Sequence, residues 1–142
     1  PIIWIDFLGL TPSKKSSRSY DPARQKCGTG KWIRHPEKIE HATSYNEARR
    51  RAIKEARLEG VPTKPFISYM GPDKGKILGS QSLDGYNHWR IDYDPKSSKQ
   101  FHVNWRRIYR DKKGNCIQET GAYLLPGGQD SYWYQRERMP KL

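Results

Sequence analysis

Two runs in this chain, GYNHWRIDYD (residues 85–94) and QFHVNWRRIY (residues 100–109), are written on a period of two and joined by the polar stretch PKSSK. Successive side chains of a strand point to opposite faces, so Trp89, Ile91 and Tyr93 share one face while His88, Arg90 and Asp92 share the other. In the second run Phe101, Val103 and Trp105 alternate in the same way with His102, Asn104 and Arg106. A symmetric hairpin closed by the intervening loop sets Asp92 opposite His102, Arg90 opposite Asn104 and His88 opposite Arg106. Any fold of this chain must therefore bury one face of the hairpin and leave a face of charge and imidazole. A slip of one residue would invert both.

The other periodic stretches agree with a sheet protein carrying little helix. KPFISYMG and ILGSQS flank the turn sequence GPDKGK as a second hairpin, and CIQETGAYLL reads as a further strand after DKKGN. Ahead of them lies one clear helix, within HATSYNEARRRAIKEARLEGVP. Ser44 with Glu47 three residues on is a capping box. Tyr45, Ala48, Ala52, Ile53 and Ala56 then recur at steps of three and four, and Gly60 and Pro62 are read as the stop. Arg49, Arg50, Arg51, Lys54 and Arg57 cover the rest of the helix, as a solvated face or as phosphate contacts. The expected architecture is α+β: an N-terminal helix packed on a four- to five-stranded antiparallel meander sheet.

Organisation along the chain follows composition. Residues 1–10 are an apolar run, residues 11–30 read as a flexible basic linker rich in Ser, Lys, Gly and Pro, and residues 31–142 read as the folded domain. The opening run is too short to span a bilayer and lacks the basic start of a secretory signal. Cys27 and Cys116 have no CxxC spacing and no neighbouring histidine pair, so no zinc site is expected. They are read as two ordinary thiols, with a single disulfide as the alternative.

With 27 Lys and Arg against 15 Asp and Glu, the net charge is +12, and 9 Tyr and 5 Trp accompany it. Cations interleaved with stacking rings suit a polyanion, and nucleic acid before an acidic protein. The face that carries His88, Arg90, Asp92, His102, Asn104 and Arg106 has the groups that metal-independent RNA cleavage requires. A base must take the proton of the ribose 2′-hydroxyl, an acid must protonate the leaving 5′-oxygen, and a cation must stabilise the pentavalent phosphate. His102 with Arg90 forms the first-choice pair, His88 is the second proton carrier, and Arg106 is the phosphate clamp. Asp92 would orient His102 and raise its pKa, and Asn104 would donate to a phosphate oxygen or a base edge. Lys31 and Gln81 are further candidates for substrate binding, with His35 and His41 as lesser ones. Tyr132, Trp133 and Tyr134 are read either as a base-stacking platform or as core. The same alternation is also what any half-solvated sheet shows.

The opening run PIIWIDFLGL resembles the P-x-x-x-x-D-P-x-G-L signature that closes the core of Rhs and YD-repeat proteins, with Pro1, Asp6, Gly9 and Leu10 in place and Phe7 where that family has proline. The resemblance implies a toxin tip released after Leu10 from a hollow repeat shell, delivered by a type VI device or another route into the cytoplasm of a rival cell, and held in check in its producer by an immunity protein, expected to be acidic. RIDYDP and HVN, at Arg90 to Pro95 and His102 to Asn104, are similar to a pattern in bacterial polymorphic toxin tips. Many such tips are ribonucleases of the barnase, EndoU, colicin and RelE type, which implies RNA as substrate and no cofactor or metal. The runner-up is an ADP-ribosyltransferase using NAD, for which Glu119 or Glu137 would be the catalytic carboxylate. A metal-dependent DNase is weaker, because clustered acidic ligands are missing. A non-enzymatic nucleic-acid binder would explain the charge alone.

Overall fold

The computed structural model describes Cys27 and residues 30–69, 71–96 and 99–140. The apolar run and all of the basic linker except Cys27 and Gly30 lie outside the described residues. The expected hairpins form: β3 (Thr63–Ile67) pairs antiparallel with β4 (Ile77–Ser82), and β5 (His88–Asp94) pairs antiparallel with β6 (Gln100–Arg110). The β5–β6 register places Asp92 against His102, Arg90 against Asn104 and His88 against Arg106. The strand β7 (Cys116–Leu124) continues the antiparallel ladder along β6.

The sheet departs from the expected meander at its other side. Two short strands precede the helix, β1 (Trp32–Arg34) and β2 (Lys38–His41), and both run parallel to β7, one after the other along the same edge. The result is a seven-stranded mixed sheet in the order β1-β7-β6-β5-β4-β3, with β2 also on β7. The His35–Pro36–Glu37 connector interrupts the edge. Proline supplies no amide donor to continue a ladder, so the chain leaves β7 and rejoins it at Gly121.

The helix α1 (Tyr45–Glu55) is therefore internal to the sequence of strands, and a second helix, α2 (Gly128–Arg136), follows the sheet. Ser44 caps α1 as expected, its hydroxyl accepting from the Glu47 amide at 3.2 Å. The Glu47 carboxylate reaches one residue further back than the usual box and accepts from the Thr43 amide at 2.8 Å. The helix ends before Gly60. Arg57 adopts φ 58°, and the amides of Arg57 and Leu58 close on the carbonyls of Lys54 and Ile53, both at 3.0 Å.

Both helices cover the same face of the sheet. Ala48, Ala52 and Ala56 of α1 are fully buried and let the helix lie close on Trp89, Val103, Trp105 and Tyr123, while Tyr132 of α2 packs with Tyr93 and Phe101. Ile91 and Val103 lose all exposure here, worth about 1.5–3 kcal/mol each. Two glycines serve close approach: a Cβ on Gly79 would overlap the Trp89 carbonyl, and one on Gly121 would overlap the Trp105 indole. On the opposite face Cys27, Ile108 and Cys116 form a small second core with Trp32 and Tyr86. Cys27 and Cys116 are joined as a disulfide with Cα atoms 5.9 Å apart, which replaces the reading of two thiols and ties the chain ahead of β1 to the start of β7.

Candidate active site

Because α1 and α2 take the greasy face, the opposite face of β5, β6 and β7 lines a cleft of about 440 Å³. Its floor holds His88, Arg90 and Asp92 of β5, Asn104 and Arg106 of β6, and Gln118 and Thr120 of β7. Lys99 and Glu37 stand at its rim. The hairpin register thus gathers five of the residues expected from alternation into one cleft, and His102 is buried beside one of them, Asp92.

Asp92 is the meeting point. Its Oδ1 accepts from the Tyr93 amide at 2.8 Å, which fixes the carboxylate. Its Oδ2 lies 3.3 Å from Asn104 Nδ2, 3.7 Å from an Arg90 terminal nitrogen and 3.7 Å from His102 Nε2. The Asp92 side chain is 40 % exposed and that of His102 2 %, so the carboxylate meets solvent and the imidazole stands behind it.

The two histidines are held differently from one another. His102 Nδ1 donates to the Gln100 carbonyl at 2.6 Å, which leaves Nε2 turned toward Asp92. Burial lowers the pKa of His102, more than the Gln100 carbonyl and the expected effect of Asp92 raise it, and nearby Lys99 and Arg90 lower it further. His88 Nε2 lies 3.1 Å from an Arg90 terminal nitrogen, and since guanidinium only donates, His88 accepts there as a neutral ring. Burial, then Arg106 and Arg90, hold its pKa well below the ordinary range. His88 is thereby held as an acceptor for Arg90. Phe66 completes the mount: its ring is 4.8 Å from that of His88 and 5.4 Å from the Arg90 guanidinium, reached across the bare backbone of Gly79.

Arg106 donates Nε to the Tyr86 carbonyl at 3.2 Å and a terminal nitrogen to the Gly85 carbonyl at 2.8 Å, so the β4–β5 turn holds the cation at the lower end of the cleft. Lys31 and Gln81 do not line it. The Lys31 backbone caps the turn before β7, and Gln81 Nε2 donates to the Pro65 carbonyl at 3.0 Å. His35 lies elsewhere, 3.1 Å from Glu119, and His41 is exposed on β2. Trp133 and Tyr134 are exposed on α2, on the far face, while Tyr132 is core and donates to Asp73 at 2.6 Å. Glu119 is buried on the helix side between His35 and Arg107, the latter at 2.5 Å, and both partners hold its pKa low against burial. Lys99, Glu37, Gln118 and Thr120 are cleft residues that sequence reasoning does not nominate. The period-two pattern of CIQETGAYLL does carry Gln118 and Thr120, on the face of Arg106, once β7 is registered on β6.

Fold and cleft together define an α+β domain with a helix-covered mixed sheet and a charged site on the uncovered face. Among the described residues no cluster of His, Cys, Asp and Glu is placed to hold a metal ion, and no helix is long and apolar enough to cross a membrane. No protein-family model matches the chain, and no curated protein matches it.

Proposed function

We propose that the cleft is an RNA site and that the domain is a metal-independent endoribonuclease, the tip of an Rhs-type toxin that acts inside a rival cell. The observation that carries this reading is the convergence of Arg90, Asn104 and His102 on one oxygen of Asp92, at the floor of a cleft in a chain of net charge +12. Asp92 takes the 2′-hydroxyl proton, with the His102 imidazole behind it sharing the charge change. The 2′-oxygen bonds to phosphorus, the bond to the 5′-oxygen breaks, and that oxygen takes a proton from water. Arg90 and Arg106 face the charge that builds on the phosphate. The products are a 2′,3′-cyclic phosphate and a 5′-hydroxyl. An acidic immunity protein would mask the same cleft by charge complementarity.

The test is incubation of the purified domain with total bacterial RNA in excess EDTA, beside Asp92→Asn and His102→Ala. Fragments ending in 2′,3′-cyclic phosphate from the parent, reduced about 100-fold or more in Asp92→Asn, are the expected result. RNA bound but left intact by the parent would make the domain a binder, and RNA neither bound nor cut would end the reading. The NAD-dependent alternative draws no support from Glu119, whose carboxylate is engaged by Arg107 and His35.

A further inference from the structure

The rim of the cleft carries an acid where an RNA site wants none. Lys99 Nζ lies 3.1 and 3.2 Å from the two oxygens of Glu37, across 62 residues of sequence. Glu37 belongs to the connector between β1 and β2, and Lys99 immediately precedes β6. The two side chains are 32 % and 27 % exposed, so the pair is open to water and to ions. The fold does not need it: β2 is already registered on β7 over four residues, and β5 on β6 over seven. Exposed pairs of this kind add at most about 1 kcal/mol to stability. A carboxylate gripping the rim lysine through both oxygens does what two oxygens of a phosphodiester would do in its place.

We propose that Glu37 is a built-in competitor for the anionic ligand of this cleft, occupying Lys99 until a phosphate displaces it. The inference rests on the reading of the cleft as a phosphate site. Removing the acid then strengthens binding, whereas loss of an ordinary lining residue weakens it. Glu40 supplies the control. It pairs with Arg51 of α1 at 2.6 Å and does not line the cleft, so Glu40→Gln changes net charge equally.

The experiment measures binding of a labelled single-stranded RNA and, separately, of inorganic tripolyphosphate to the parent, Glu37→Gln, Glu40→Gln and Lys99→Met at low salt. Glu37→Gln is expected to tighten both ligands about three- to fivefold, the equivalent of the exposed pair it releases, while Glu40→Gln leaves them unchanged and Lys99→Met weakens them. Equal tightening by both Gln variants reduces the effect to net charge and overturns the proposal, as does unchanged or weaker binding in Glu37→Gln. Tightened tripolyphosphate with no RNA bound by any variant leaves the competitor standing and removes RNA as its ligand.

Discussion

Breaking the Cys27–Cys116 bridge is the perturbation whose size is set most directly by the structure. The link joins residues 89 apart in sequence, from a point ahead of β1 to the first residue of β7. Closing a loop of about ninety residues removes about 15 cal/mol/K from the unfolded chain, or about 4.6 kcal/mol at 25 °C. Packing at the bridge survives reduction in large part, because Ile108, Trp32 and Tyr86 remain around both side chains, and the Cys27 carbonyl still accepts from Arg110 at 3.0 and 2.7 Å. The chain-entropy term therefore dominates. For a domain of this size it corresponds to a fall in Tm of roughly 15–25 °C. Calorimetry of the oxidised domain, the reduced domain and Cys27→Ala/Cys116→Ala would measure it, with intact mass reporting the two hydrogens gained on reduction. Oxidised and reduced forms within about 1 kcal/mol of one another would refute the reasoning.

Other perturbations act on the buried rings, the close-packed strands and the helix cap. His88 and His102 are buried with lowered pKa values, so the unfolded chain takes up protons near pH 6.5 that the native rings resist. Their contribution is present above that pH and is lost below it, by about 1.4 kcal/mol per pH unit for each ring while the native form stays neutral. Urea midpoints at pH 7.5, 6.5 and 5.5 should fall mainly over the second interval, and His88→Gln, which keeps an acceptor for Arg90, should reduce the slope; a flat profile contradicts this. Gly79→Ala should destabilise the domain by about 2 kcal/mol or more by driving β4 from β5, read from denaturant midpoints, and an unchanged midpoint would count against the close approach. Ser44→Ala should cost about 1 kcal/mol through the lost cap, checked in the same assay.

What was legible in the sequence is the part built from neighbours. The β5–β6 register and the faces it creates come from strict alternation either side of a short loop, and the capping box marked the start of α1. The remainder depends on pairings that local pattern does not carry. With three and four residues, β1 and β2 are too short to show a period, and Lys38, Ile39, Glu40 and His41 are all exposed, so no buried side reveals them. The helix α2 begins at two glycines and buries only Tyr132 among its residues, which leaves its apolar spacing faint. The same limit hid the Glu37–Lys99 pair and left the disulfide as the alternative reading, both being made by residues far apart in the chain. Alternation likewise marked His102 as the cross-strand neighbour of Asp92 without revealing that its ring is buried while the carboxylate stays partly exposed.

The parallel pairing of β1 and β2 with β7 has a bearing on how the domain comes into being. From β3 to β7 each strand finds its partner in the strand just before it, so that ladder can grow as the chain leaves the ribosome. The first two strands have no such partner. They wait for residues 116–124, and so does the only cysteine available to Cys27. A nascent chain that stops before β7 keeps its first strands unpaired and lacks the Gln118 and Thr120 side of its cleft. Assembly is thereby referred to the last of the described strands, and a product that stops short of it is incomplete at the site as well as at the edge.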